Sequence, residues 1–209
     1  MRLKLNVKLI VVILLVSVAC PAFSQSAPAA IGPKAYSPLA VGAGFSDYDI
    51  GWQSGKMLGG TLWIDYTLPR VPRLLNGLGL EIEARDLSIE TKQNLQFNMR
   101  EDVASGGVYY SYPRYSKFRP YGKYLMGFGN DDYPLGYRGN PMPYHQTRTV
   151  TSMGGGLDYR AYRGIWLRAD YEYQFWPDFW KHTNRPAGIL SPSGITIGAM
   201  YHFGSRTPR

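Results

Sequence analysis

Residues 195–203 read I-T-I-G-A-M-Y-H-F. Every odd-numbered position is apolar or aromatic, and most even-numbered positions are small or polar. Because successive side chains of a strand point to opposite faces, this alternation predicts a β-strand with one apolar face. Two aromatic residues, Tyr201 and Phe203, end the apolar face. That ending is typical of the aromatic girdle of a membrane barrel.

The same alternation recurs in seven earlier segments, which are 39–46, 61–66, 78–87, 103–112, 119–129, 149–160 and 165–175. An even number of strands can run up and down and close, so that no edge is left unpaired in lipid. From the second connection onward, long and short connections alternate, as long outer loops and short periplasmic turns do. The sequence therefore predicts an all-β fold, an eight-stranded antiparallel up-and-down transmembrane β-barrel over residues 39–203.

The two ends of the chain lie outside this predicted barrel. Arg2, Lys4 and Lys8 precede an apolar run at 9–19, and Ala22-Phe23-Ser24 offers a cleavage site before Gln25. We therefore predict a signal peptide over residues 1–24. A lipoprotein acylated at Cys20 is the alternative. Residues 25–38, rich in Ala, Pro and Ser, form an unstructured lead-in, and 204–209 form a short tail.

Composition narrows the function classes. The 209 residues include 24 Gly and 17 Tyr, which favour strands and turns. Cys20 is the sole cysteine, so cleavage removes any disulfide or thiol chemistry. The formal charge of +8 is scattered along the chain, and no basic run with interleaved aromatics indicates nucleic acid. Attraction to anionic lipid head groups stays open.

Charged residues fall on the face opposite the apolar one. A charge facing lipid would cost about 2–4 kcal/mol near the midplane, so we expect these side chains to point inward and to pair. The predicted interior charge network comprises Asp65, Glu81, Glu83, Arg85, Lys123, Asp158, Arg160, Arg168, Asp170 and Glu172. Eight strands leave an interior that side chains can fill, so a salt-bridged plug is one interpretation. A narrow or gated ion path is the other.

Aromatic residues are predicted to form a girdle at each membrane interface, where an apolar ring with a polar tip is favoured. One girdle comprises Tyr66, Tyr112, Tyr159, Tyr201 and Phe203. The opposite girdle comprises Tyr173, Phe175 and Trp176.

The last strand also resembles the C-terminal sorting signal of bacterial outer-membrane barrels through Thr196, Gly198, Tyr201 and Phe203, although here a tail follows the final aromatic. The whole pattern is similar to the eight-stranded outer-membrane β-barrel family, the group of the OmpA membrane domain and OmpX. This resemblance implies a place in the bacterial outer membrane, among its lipid and lipopolysaccharide. It also implies insertion by the barrel-assembly machinery and a monomeric protein.

Catalysis, cofactors and metals are not expected. Glu81 and Glu83 share a face as an acid/base couple would, but Arg85 neutralises them. His145, His182 and His202 lack metal-ligand spacing. We expect a structural or surface-interaction role through long loops at 47–59, 90–102, 130–148 and 176–191. A small pore, or an OmpW-like channel for apolar solutes, is the first alternative. A soluble lipocalin-like barrel is the second.

Overall fold

The computed structural model describes residues 38–49, 56–69, 71–88, 100–112, 117–133, 144–177 and 190–203. Eight strands account for most of them: β1 (Leu39–Asp49), β2 (Lys56–Thr67), β3 (Leu78–Ser88), β4 (Arg100–Ser111), β5 (Phe118–Tyr133), β6 (Tyr144–Tyr162), β7 (Ile165–Phe175) and β8 (Ser193–His202). A single 3-10 turn, Arg73–Leu75, lies between β2 and β3. Within these ranges, no helix has the length and apolarity to cross a membrane.

The strands form one closed antiparallel barrel in sequence order. β1 pairs with β8 from Ala40 opposite His202 to Asp49 opposite Ser193, and this pairing closes the cylinder. The predicted fold is therefore confirmed. We call the end that carries the connections 50–55, 89–99, 134–143 and 178–189 the outer end, and the opposite end the inner end.

Neighbouring side chains alternate between the outside and the lumen, as the sequence predicts. In β3, Leu80 is 48% exposed and Ile82 is 63% exposed, whereas Glu81 between them is fully buried. Leu167 and Ile197 are likewise exposed, and Arg168 is buried. A barrel with its apolar face outside and its charges inside is built for lipid rather than for water.

β5 and β6 are longer than the predicted 119–129 and 149–160. They stay paired as far as Tyr133 opposite Tyr144, so the expectation of a loop over 130–148 is wrong at both of its ends. Polar pairs hold this extension together. Thr147 donates to Asn130 across the two strands at 3.2 Å, and His145 contacts Asp132. The outer ends of β1, β2 and β4 also run into the predicted loops, through residues 47–49, 56–59 and 100–102.

The inner girdle lies largely where it is expected, on the outside of the barrel, at Tyr66, Tyr159, Tyr201 and Phe203. Tyr112 differs, because β4 ends at Ser111 and Tyr112 is half-buried beyond it. Tyr110, two residues earlier, lies on the outside of the barrel instead.

Trp176 is not part of an outer girdle. It is fully buried and bridged to Leu190, because it continues the inward-facing series of β7 beyond the end of that strand. The prediction for this residue is wrong. Phe175 faces outward as expected, and Tyr173 is half-buried.

Candidate functional site

The middle of the lumen holds nine of the ten predicted charges, all of them buried. We call this set the ion-pair network, and it consists of Asp65, Glu81, Glu83, Arg85, Lys123, Asp158, Arg168, Asp170 and Glu172. Arg160 lies apart from it, half-buried near the inner end of β6 and opposite Trp166. The inward positions of β2, β3, β5, β6 and β7 supply the network, so it ties together five of the eight strands.

Lys123 is the centre of the network. Its Nζ lies 3.2 Å from Glu81, 2.7 Å from Glu83, 2.5 Å from Asp170 and 2.9 Å from Glu172. An ammonium group has three donors, so four carboxylates more than use its hydrogen-bonding capacity. One lysine therefore links β3, β5 and β7 across the lumen.

Arg168 forms the ion pairs on the side of the network that faces the inner end of the barrel. Its guanidinium pairs with Asp65 at 2.7 Å, with Glu81 at 3.0 Å and with Asp158 at 2.8 Å. It also lies over the ring of Tyr121, 4.4 Å from the centroid. Arginine suits such a position because its planar fork of donors reaches several carboxylates at once.

Arg85 serves the outer side. It pairs with Glu83 and, at 3.0 Å, with Glu172, and its Nε donates to Thr61 at 3.2 Å. Its guanidinium lies 4.2 Å from the centre of the Tyr48 ring. Carboxylates thus alternate with the three cations along the lumen.

Six carboxylates surround three cations in this network, so it carries more acid than base. Oxygens of Glu83, Asp170 and Glu172 approach one another within 4.8 Å, the spacing of a metal site. The Nζ of Lys123 lies among these oxygens and pairs with all three carboxylates, so it occupies the position that a metal would take. Glu81 and Glu83 share the same lysine, so they are held by an ion pair rather than facing an open cleft.

An apolar layer lies on the inner side of the network, and it comprises Ala40, Trp63, Trp166 and Met200. The Trp63 ring lies against Gly42, where a Cβ would overlap the indole. His202 adjoins the layer, with its ring 5.2 Å from that of Trp166. We call this set the inner apolar layer.

A second apolar layer lies on the outer side of the network, and it comprises Tyr48, Met57, Leu87, Val103, Val150, Trp176 and Leu190. Trp176 is its largest member, and the indole N–H donates to Gln174 at 2.9 Å. Gly129 lies beneath the indole, and a Cβ there would overlap the ring. We call this set the outer apolar layer. The lumen is therefore filled by apolar, charged and apolar side chains in turn.

Two buried acids at the outer end were missed by sequence reasoning. Glu101 and Asp131 are fully buried and lie opposite each other on β4 and β5. Both fall in stretches expected to be loops. The sequence does carry a signal for their burial, because each lies an even number of positions from inward-facing residues of its own strand. Glu101 continues the inward series of Val103, and Asp131 continues that of Lys123 and Leu125.

The histidines occupy different surroundings. His145 contacts Asp132 on the outside of the outer end, His202 is half-buried at the inner end, and His182 lies outside the described residues. The described histidines are therefore at opposite ends of the barrel and do not share a site.

The four residues of the predicted sorting signal divide between the two faces of β8. Thr196 is buried and shares a hydrogen bond with Ser46 at 2.8 Å, and Gly198 faces the lumen beside Trp63. Tyr201 and Phe203 lie outside, with their rings edge to face at 5.2 Å. Recognition of this signal by assembly machinery stays a prediction.

Residues 10–203 match the family model described as the outer membrane protein beta-barrel domain. Because the match covers most of the chain, the protein belongs to this family, whose place is the bacterial outer membrane. Lipid and lipopolysaccharide are therefore its surroundings. No curated protein matches the chain.

Solved structures of the same fold include surface and attachment proteins. Neisserial surface protein A is 14% identical, with a TM-score of 0.56, and the match covers 79% of this chain and 96% of that one. Ail, the attachment invasion locus protein of Yersinia pestis, in complex with the heparin analogue sucrose octasulfate, is 14% identical, with a TM-score of 0.51 and the same coverage. The outer membrane enzyme PagL is 12% identical, with a TM-score of 0.47, over 78% of this chain and 98% of that one. At such identities the likeness to the first two proteins establishes the fold alone.

Proposed function

We propose that this protein is a non-enzymatic outer-membrane barrel with a closed lumen, acting as a structural and surface-interaction protein. The observation that carries the proposal is the filling of the lumen. An ion-pair network with Lys123 at its centre lies between two layers of buried apolar side chains. A barrel filled in this way can bind a partner at its outer end, but it does not offer solutes a path through its interior.

Conduction through this interior would be costly. An ion would have to break the pairs of Arg85, Lys123 and Arg168, and each exposed carboxylate would then lose its compensation in a dry environment. It would also have to cross the inner and outer apolar layers. The pore alternative therefore requires a rearrangement of both layers and of the network together.

The outer end supports the surface role. β5 and β6 remain paired out to Tyr133 and Tyr144, and charged pairs such as Arg100–Asp86, at 2.7 Å, line the outward face. We propose that the partner is an extracellular molecule bound at this end, as the sulfated heparin analogue is bound by Ail. We further propose that the chain inserts through the barrel-assembly machinery by its last strand and works as a monomer.

Single-channel recording in planar bilayers tests the closed lumen. We expect no conductance steps from the native protein, because the lumen is blocked at three levels. A double variant, Trp63→Ala with Trp176→Ala, removes the largest side chain of each apolar layer and serves as the comparison. Regular steps from the native protein at low voltage would refute the proposal of a closed lumen.

Whole-cell binding tests the surface role separately. Bacteria that display the native protein should adhere to immobilised heparin more than cells that carry the empty vector. Removal of residues 134–143, with Tyr133 and Tyr144 joined by a short Gly-containing turn, should abolish the difference if the β5–β6 hairpin presents the binding surface. Equal adhesion to heparin by cells with and without the protein would count against the surface role. An altered lipid A mass on expression would count against the non-enzymatic assignment.

A further inference from the structure

Glu101 and Asp131 differ from every other buried acid in the described part of the barrel. Both are fully buried, and none of their four carboxylate oxygens has a hydrogen-bond partner among the described residues. They are direct partners in the β4–β5 ladder. Directly opposite residues of an antiparallel pair place their Cβ atoms about 4.5–5.5 Å apart, so the two carboxyl groups share one small space.

The contrast with the ion-pair network is clear. Each of the six acids in that network has a lysine or arginine nitrogen within 3.2 Å, as Asp170 has Lys123 at 2.5 Å and Asp158 has Arg168 at 2.8 Å. A buried carboxylate without such a partner is strongly destabilising. Compensation at the outer end must therefore come from something that is not a side chain of the network.

Two arginines flank this pair on the same inward face. Arg148 lies opposite Gly129, two residues from Asp131 along β5, and its Nη1 donates to the carbonyl oxygen of Pro177 at 3.5 Å. Arg85 lies opposite Val103, two residues from Glu101 along β4, and its ion pairs are with acids of the network. The four oxygens of the pair remain without a hydrogen bond, and the acid-rich network adds further negative charge nearby.

We propose that Glu101 and Asp131 bind a divalent cation of the calcium class, which bridges β4 and β5 just inside the outer end of the barrel. Carboxylate oxygens from two facing strands are the hard ligands that Ca²⁺ prefers, and water or backbone carbonyls complete its coordination. The outer end opens towards the medium, which supplies the ion. This site is separate from the proposed function, because a closed lumen does not require it.

The site has a structural consequence. β5 continues from Asp131 into the hairpin with β6, so a cation between Glu101 and Asp131 fixes the base of that hairpin to β4. Binding of the ion should therefore stabilise the folded barrel, as any ligand of the native state alone does.

Thermal unfolding of the full-length mature chain tests the site, after refolding in a zwitterionic detergent without lipopolysaccharide. Millimolar CaCl₂ should raise the Tm by at least about 2 °C relative to EDTA. The Asp102→Asn variant is the matched control, because Asp102 is the next residue of β4 but faces outward and pairs with Arg100. It should keep the shift, whereas Glu101→Gln and Asp131→Asn should lose it.

Terbium luminescence provides a second measurement that does not depend on stability. Tb³⁺ mimics Ca²⁺ and is excited through nearby aromatic rings, of which Trp176 lies over Gly129, two residues from Asp131. We expect one saturable Tb³⁺ site per chain in the native protein and in Asp102→Asn. If Glu101→Gln does not fold, Glu101→Asp takes its place, because it keeps a carboxylate on a shorter side chain. Tb³⁺ binding should be weaker in Glu101→Asp than in the native protein. No Ca²⁺-dependent shift in the native protein, or an equal shift in the Glu101→Gln/Asp131→Asn double variant, overturns the proposal. So does a Glu101→Gln variant that is more stable in EDTA than the native protein while calcium has no effect, since the two acids would then share a proton instead.

Discussion

The middle of the lumen and its outer end solve the same problem in different ways. Both bury carboxylates on the inward face of a barrel. In the middle, Lys123 alone contacts four of the six carboxylates, and Arg168 pairs with the other two, Asp65 and Asp158. At the outer end, Glu101 and Asp131 face each other without a lysine or arginine contact in the described residues. The inward face is therefore not uniform. Its carboxylates are ion-paired in the middle of the barrel, whereas at the outer end we propose that a cation from the medium pairs with them.

The largest effect that would test this difference is expected at Lys123. Lys123→Met keeps the length of the side chain but leaves four buried carboxylates without their shared cation. Loss of one partner from a buried pair costs about 3–5 kcal/mol, so we expect the midpoint of urea unfolding to fall strongly. The heat-modifiable shift in gel mobility monitors the folded fraction at each urea concentration. Lys56→Met is the matched control, since Lys56 makes an exposed pair with Asp47 at 3.4 Å. Equal midpoints for the two variants would show that the network does not support the barrel.

A smaller effect is expected at the outer apolar layer. Gly129→Ala places a methyl group where the Trp176 indole lies, and such overpacking costs about 1–3 kcal/mol. Tryptophan fluorescence should change together with the unfolding midpoint, because the ring must move. Gly122→Ala on the same strand is the control, as a Cβ there meets only ordinary contacts on the outside of the barrel. An indole that is unaffected by Gly129→Ala would mean that Trp176 does not close the outer end.

The smallest effect is expected outside the barrel at the same height. Arg100 pairs with Asp86 at 2.7 Å and with Asp102 at 3.1 Å, and all three side chains are partly exposed. Exposed pairs contribute about 0–1 kcal/mol and weaken with salt, so Arg100→Ala should shift the unfolding midpoint slightly, and less at high ionic strength. A loss as large as that of Lys123→Met would show that burial does not separate the two kinds of ion pair.

The parts of the fold that lie in lipid could be predicted from the sequence because lipid enforces alternation. A residue such as Ile82 must face out and Glu81 must face in, so eight strands and nine of the interior charges follow from the period of two. Beyond the lipid this constraint ends. Asn130 to Tyr133 and Tyr144 to Thr147 have water outside, so polar residues on both faces concealed their pairing.

The remaining errors have the same origin. The expectation of Trp176 in a girdle follows from the preference of tryptophan for membrane interfaces, although its even number continues the inward series of β7. The expectation of loops at Glu101 and Asp131 follows from the lack of apolar alternation around them. The pairing of Lys123 with acids from β3 and β7 depends on side-chain length and on the stagger of the strands, which sequence period does not encode.

β5 is longer than the apolar band of a membrane barrel requires. Its 16 residues, tilted as in other barrels, rise about 40 Å, whereas the apolar band of such a protein is about 25 Å tall. The β5–β6 ladder is therefore about 15 Å longer than the apolar band, so its ends lie beyond that band. Tyr133 and Tyr144 are still paired with each other where the connection between them begins. That connection therefore starts from a stiff two-stranded ladder rather than from an unpaired strand end.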